Sequence, residues 1–234
     1  MKPAESPDTI CRRPDRDHRL SMESLLAYVP KSAARVLDCT GVFAGRGSLL
    51  KDHGAREAVA LADTSAGDPG PDEGYDTIVQ GPLDFVTLPA PEPPFDCIVC
   101  SAALERLRNP GAFLEPLLDR LAPGGLFLAV VPNMQYHKIT CTLAGGRWVY
   151  GNGGVWDRNN LRFFTAAEIK ALLRHAGIGA CRVASLVKDE PDAFPRDPLG
   201  YARRGALRIG PLNDPAYQAW LTEYYLVMAV KPLN

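Results

Sequence analysis

The stretch Val36-Leu37-Asp38-Cys39-Thr40-Gly41-Val42-Phe43-Ala44-Gly45-Arg46-Gly47 decides how the rest of the chain is read. An apolar run that ends in an acid, followed by a turn and then a helical pattern, is how a doubly wound α/β sheet opens, and such a sheet takes a nucleoside at its carboxyl edge. Residues 34–39 supply the strand, and Ser48-Leu49-Leu50-Lys51 supplies the helix. Gly41, Gly45 and Gly47 lie at other positions than the usual glycine turn, so the fold is more legible here than the ligand.

Working toward the N-terminus, Met22, Leu25, Leu26 and Val29 share one helical face that stops at Pro30, which predicts a helix leading into the first strand. Residues 1–17 are polar and rich in Pro, Arg and Asp, and read as a loose arm. Downstream, residues 57–62 predict a second strand closing on Asp63-Thr64-Ser65, residues 67–74 a Pro/Gly/Asp loop, and residues 77–79 a short third strand. Four prolines within 89–94 require an extended connection, after which the continuous apolar run 95–101 has the composition of a buried parallel strand.

Phe113, Leu114, Leu117, Leu118 and Leu121 fall on one face of a helix over 112–121, stopped by Pro123-Gly124-Gly125 before a fifth strand over 126–131 and Pro132-Asn133. Periodicity then fails over 134–165, where Gly and aromatic residues dominate; a segment of this kind is read as a lid or binding element. An amphipathic helix over 166–176 ends at Gly177, and strands over 180–187 and 225–231 flank a Pro-rich excursion, 188–221. The alternation argues for one α/β domain over 18–234 with a mostly parallel sheet and a reversed edge.

The 234 residues carry a net charge of −1 with no run of like charges, which disfavours a nucleic-acid partner. No stretch reaches the roughly 20 apolar residues of a membrane span, and the first residues lack an apolar signal core, so a cytoplasmic protein is expected. The six cysteines are spread through apolar segments like reduced core residues. Cys97 and Cys100 form a CxxC within a strand, where residues three apart face opposite sides, so no metal or redox pair is expected there. No His/Cys/carboxylate spacing suits a metal, and neither a Gly-x-Ser-x-Gly elbow nor a phosphate-loop lysine is present.

Several motifs then align in order: Arg35-Val36-Leu37-Asp38, Gly54-Ala55-Arg56-Glu57, Phe95-Asp96-Cys97-Ile98-Val99, Leu104-Glu105-Arg106-Leu107-Arg108-Asn109-Pro110, Leu121-Ala122-Pro123-Gly124-Gly125 and Val131-Pro132-Asn133. The most specific tract runs from Gly146-Arg147-Trp148 through Asp157 to Leu161-Arg162-Phe163-Phe164-Thr165. Over about residues 19–231 the chain resembles the class I S-adenosylmethionine-dependent methyltransferases, in particular small domains associated with sugar and glycan biosynthesis. That resemblance implies a three-layer α/β sandwich with a mostly parallel seven-stranded sheet and a reversed last strand. It also implies S-adenosylmethionine as cofactor, held by Asp38, Thr40, Gly41, Asp63, Leu83 and Ser101.

The chain departs from the family pattern at several places. Thr40, Val42 and Ala44 stand on the three glycines of the turn, and a β-branched valine at positive φ would be an outlier. The acid for the ribose hydroxyls falls on Asp63, or on Ala62 if the strand ends one residue earlier. Gly81-Pro82 replaces a Gly-Asp pair, leaving Leu83 or Asp84 to compensate; Arg106 and Asn160 stand where histidines are common.

The expected acceptor is a small polar molecule, a sugar or glycan intermediate methylated on oxygen. His137, with Tyr136 beside it, is the best-placed base beyond the fifth strand, the alternative being a packing histidine. Asp157 and Arg162 either orient a polar acceptor or pair with each other to pin the loop. Trp148, Tyr150 and Trp156 make either a stacking platform or the core of a lid. The competing function is a catalytically silent relative that has lost the cofactor and binds a protein partner; a third reading keeps the pocket and changes its ligand.

Overall fold

A computed structural model of the protein describes residues 25–41, 46–64, 74–86, 93–205 and 207–233. The arm over 1–17, the start of the first helix, Val42, Ala44, most of the 67–74 loop and much of the 89–94 connection lie outside the described residues. The chain runs β1 (Arg35–Gly41), α1 (Arg46–His53), β2 (Glu57–Asp63), β3 (Thr77–Gly81), β4 (Phe95–Ser101), α2 (Pro110–Asp119), β5 (Leu121–Pro132), α3 (His137–Ala144) and α4 (Ala166–His175). It continues through β6 (Cys181–Lys188), β7 (Ala202–Arg204), β8 (Leu207–Ile209), α5 (Asp214–Leu221) and β9 (Thr222–Val230).

Seven strands form one sheet in the order β3-β2-β1-β4-β5-β9-β6. β1 to β5 pair in parallel, while β9 runs antiparallel to both β5 and β6. This is the mostly parallel seven-stranded sheet with a reversed last strand that the resemblance implies. The reversed strand is not at the edge, however: β9 is inserted between β5 and β6.

Strand alternation sorts the core into two layers. Leu37, Cys39, Val59, Leu61, Ile98, Cys100, Phe127, Ala129 and Val131 face α2 and α4, through Phe113, Leu114, Leu117, Ile169 and Leu173. Val36, Ala58, Cys97, Val99, Leu128 and Val130 face the other side, covered by Leu25, Val29 and Leu50. Cys97 and Cys100 thus belong to opposite layers, as alternation requires, and both are free thiols. Burial pushes the Cys97 thiol up to about 12.

The amino ends of the central strands are tied by charge. Asp96 accepts hydrogen bonds from the backbone N–H groups of Ala34 (2.8 Å) and Arg35 (2.9 Å), fastening β1 to β4. Arg35 donates to both carboxylate oxygens of Glu57 on β2, at 2.7 and 3.0 Å, and its guanidinium lies 4.5 Å from the Phe95 ring centre.

Three local expectations are corrected. β5 starts at Leu121, paired with Phe95, and the Pro123-Gly124-Gly125 segment is a bulge that jumps the register to Leu126 opposite Cys97. The helix before it starts earlier, at Pro110, because the Asn109 side chain caps the Ala112 N–H and proline suits the first turn. The aperiodic tract after β5 contains α3, an eight-residue helix too short for its periodicity to register, and the Pro-rich excursion holds the β7–β8 hairpin and α5 around Phe194, Ala202, Tyr217 and Leu221.

Because one carboxylate serves two consecutive strand-end N–H groups, Asp96→Ala lowers stability by about 2 kcal/mol. The expected readout is a lower urea midpoint with an unchanged m-value; an unchanged midpoint would remove Asp96 from the set of contacts that hold β1.

Candidate active site

β1 is bonded to β2 on one edge and β4 on the other, so the carboxyl ends of β1 and β4 are the switch point at which sheets of this kind take their ligands. Asp38 lies in β1, 2 % exposed, and its Oδ2 accepts from the Tyr75 hydroxyl at 2.5 Å. Thr40 and Gly41 continue the strand across a register irregularity that begins after Asp38.

β2 extends through Asp63, which settles the one-residue choice of strand end. Asp63 pairs with Gly81, is buried, and accepts from the Leu83 N–H at 3.4 Å. Pro82 lacks an N–H but accepts from Phe85 and Val86, making the turn that turns Leu83 inward. Asp84 caps the next segment, accepting from the Arg108 N–H at 2.8 Å. Ser101 closes β4, fully buried, and the next residue, Ala102, is the one non-glycine with positive φ (54°) among the described residues. A non-glycine in that region stores about 1 kcal/mol or more, a cost that concentrates at functional sites. These residues fit a nucleoside-bearing cofactor: a buried acid ends β2 beside the switch point, with a main-chain N–H and a second acid nearby.

Beyond β4, the 3-10 turn Leu104–Arg106 faces the tract after β5. Asp157 does not pair with Arg162. Its Oδ2 accepts from Arg106 at 3.0 Å and its Oδ1 from the Asn159 N–H at 2.9 Å. Arg162 instead donates to the carbonyls of Leu161 and Arg108. The Glu105 carbonyl accepts from the N–H groups of Leu161 (2.7 Å) and Arg162 (2.8 Å), so this turn is where the tract closes onto the sheet.

Glu105, legible in the sequence only as a helix-start acid, is 4 % exposed, and its Oε2 has no hydrogen-bond partner among the described residues. Burial raises its carboxyl to about 7, with Asp157 adding to the rise and the backbone and Arg106 opposing it. Its signal was weak: one acid between Leu104 and Leu107, both buried.

His137 begins α3 with no exposure. Its Nε2 lies 2.9 Å from Asp189 Oδ2, its Nδ1 3.4 Å from Arg204, and its ring stacks on Phe194 at 5.0 Å. Burial lowers its pKa to about 4; the Asp189 hydrogen bond opposes this, and Arg204 and Lys138 reinforce it. Tyr136 is buried beside it and donates to the same Asp189 oxygen at 2.6 Å. Asp189 and Arg204 lie in the excursion and carried no motif. Trp148 packs edge-on against Tyr150, Trp156 and Phe163, and Tyr150 and Phe163 remain exposed. No group of three or more metal-ligating side chains occurs among the described residues, and no described helix is long and apolar enough to cross a membrane.

Glu105 and His137 pull stability in opposite directions with pH. Glu105 binds its proton more tightly when folded, so its contribution is full below about pH 4.5 and is lost as pH rises through about 7. His137 binds its proton less tightly when folded, so its contribution is full above about pH 6.5 and is lost as pH falls through about 4. Each amounts to about 3 kcal/mol over its window, and the two nearly cancel between pH 4.5 and 6.5. Denaturant titrations across that range should show stability falling with pH in His137→Gln and rising in Glu105→Gln; parallel slopes in the two variants would refute the assignment.

The sequence comparisons agree with this geometry. The methyltransferase domain family matches residues 15–179. A ubiquinone biosynthesis O-methyltransferase of Xylella fastidiosa is 31 % identical over 163 residues, covering 64 % of this chain and 63 % of that protein. A second, from Paramagnetospirillum magneticum, is 28 % identical over 148 residues, covering 60 % and 59 %. The chain therefore spans about three fifths of the length of these curated relatives. Among solved structures, an S-adenosylmethionine-dependent methyltransferase from Archaeoglobus fulgidus superposes with a TM-score of 0.60 at 15 % identity, covering 92 % of this chain and 95 % of its own. A possible histamine N-methyltransferase from Thermotoga maritima gives 0.58 at 16 %, covering 92 % and 90 %. At these identities the structures share the fold; the family match carries the assignment, and the chain belongs to the methyltransferase domain family.

Proposed function

We propose that the protein is an S-adenosylmethionine-dependent O-methyltransferase acting on a ring hydroxyl of a small acceptor. The observation that carries this reading is the buried acid Asp63 at the end of β2, beside the switch point of a sheet in the methyltransferase domain family. A ring hydroxyl is preferred to the expected sugar because the relatives matched are named ubiquinone biosynthesis O-methyltransferases. None of those relatives is named for glycan chemistry. The catalytically silent alternative is not favoured, since the relatives matched are named as O-methyltransferases.

The cofactor supplies a methyl group on an electrophilic sulfonium. In this reading Asp63 would accept from the ribose hydroxyls, and the Gly81–Leu83 turn with Asp38, Thr40, Gly41 and Ser101 at the ends of β1 and β4 would hold the rest of the cofactor. Arg106, Asp157 and Arg162 hold the tract closed over β4 through the contacts described above. His137 and Tyr136, both buried on Asp189, anchor the C-terminal excursion to α3.

Calorimetry with S-adenosylhomocysteine tests the reading, after any copurified ligand has been removed. Binding in the micromolar range is expected, and Asp63→Ala should weaken it about 30- to 150-fold, the effect of one charged hydrogen-bonding group worth about 2–3 kcal/mol. Absence of binding to the wild-type protein at millimolar ligand would sink the reading.

A further inference from the structure

We propose that Glu105 is the base that takes the proton of the acceptor hydroxyl, an assignment that rests on the O-methyltransferase reading. A phenolic oxygen is a far better nucleophile when its proton is being removed, and the group that removes it must reach it within hydrogen-bond distance. Oε2 of Glu105 is a buried acceptor with no partner among the described residues, in the turn that follows β4, the strand bordering the switch point. An unpaired buried carboxylate oxygen is costly, and a hydroxyl donor from the acceptor would satisfy it.

The surroundings supply no rival. Arg106 and Asn160 replace the histidines that the resembling family often carries, and neither amide nor guanidinium takes a proton in this range. His137 has both ring nitrogens within reach of partners, Asp189 and Arg204, whereas Glu105 Oε2 has none among the described residues. The charged groups facing Glu105 are Arg106 on its own turn and Asp157 from the covering tract; Arg162 turns its guanidinium to the Arg108 carbonyl, and β5 carries no ionisable side chain. Burial then leaves the Glu105 carboxyl poised at about 7, where a base both accepts and releases a proton at neutral pH.

In the step, the acceptor O–H bond breaks and its proton passes to Glu105 Oε2. The oxygen lone pair forms the new O–CH3 bond, the methyl–sulfur bond breaks, and its electron pair stays on sulfur, leaving the neutral thioether. Glu105 then returns the proton to solvent as product leaves.

The test uses the full chain saturated with S-adenosylhomocysteine and 3,4-dihydroxybenzoate as the phenolic probe, titrated calorimetrically in two buffers of different ionisation enthalpy. The hydroxyl binds the ionised carboxylate, so wild type should release about half a proton at pH 7, rising toward one at pH 6 and falling toward zero at pH 8. Glu105→Gln should release none, bind S-adenosylhomocysteine within about twofold of wild type, and slow methyl transfer from S-adenosylmethionine by about 10²- to 10⁴-fold. A merely structural Glu105 would leave proton release pH-independent and the Gln variant, a neutral isostere, active within tenfold; either result overturns the proposal. Failure of the probe to bind a protein that does bind S-adenosylhomocysteine overturns it as well, whereas failure of S-adenosylhomocysteine itself overturns the O-methyltransferase reading. Should Glu105→Gln not fold, the wild-type proton count across pH 6–8 decides alone.

Discussion

The molecule depends on β1 being hydrogen-bonded on both edges and buried on both faces. A strand so placed needs apolar side chains on both faces through most of its length, and a fixed register. Val36, Leu37 and Cys39 meet the first demand, and the Asp96 carboxylate, accepting from two consecutive N–H groups at the amino end, meets the second. Because the chain leaves β1 one way to β2 and the other way to β4, no crossover covers the carboxyl edge between them. Asp38 and Asp63 lie in β1 and β2, Leu83 just after β3, and Ser101 and Glu105 at and just after the end of β4.

What closes this edge is held by polar contacts more than by apolar area. The tract after β5 has a small core of Tyr136, Ile139 and Val155, and the excursion has another around Phe194 and Tyr217. Single side chains then join these small cores to the sheet. Asn133, fully buried at the end of β5, donates to the carbonyls of Ala219 and Thr222, both at 2.8 Å, and accepts from the Gln135 N–H. Asp189 gathers Tyr136, His137 and Lys138. Arg106 reaches Asp157. Contacts of this kind depend on geometry at one or two atoms, so covering segments fastened by them open at lower cost than the sheet beneath.

That difference explains what the sequence disclosed. The sheet strands were legible because burial on both faces writes itself as continuous apolar runs such as 95–101, and α4 because ten residues suffice to show an amphipathic stripe. The insertion of β9 between β5 and β6 was not legible from pattern, since strand order is a long-range property that alternation does not encode. α3 was hidden because eight residues that bury chiefly His137 and Ile139 carry too little periodicity. In the site, Asp63 could be placed to within one residue, and the strand end resolved it. The partners of Asp157 and His137 could not be read, because Arg106, Asp189 and Arg204 lie 51, 52 and 67 positions away from them in sequence.

The substitution of Arg106 for a histidine changes the electrostatics of the edge in a definite way. A guanidinium keeps its charge across the working pH range and binds a carboxylate with fixed geometry. Here that carboxylate is Asp157, on the covering tract, so the one cation of the turn is committed to closure. Glu105 beside it receives only proximity to that charge, without a hydrogen bond from it, and burial outweighs the attraction. A histidine at the same place would titrate within the same window as Glu105, and the two protons would then belong to the pair and not to either residue. With arginine there, closure and proton transfer fall to different carboxyl groups: Asp157 is bonded to the cation, and Glu105 keeps an oxygen with no partner among the described residues.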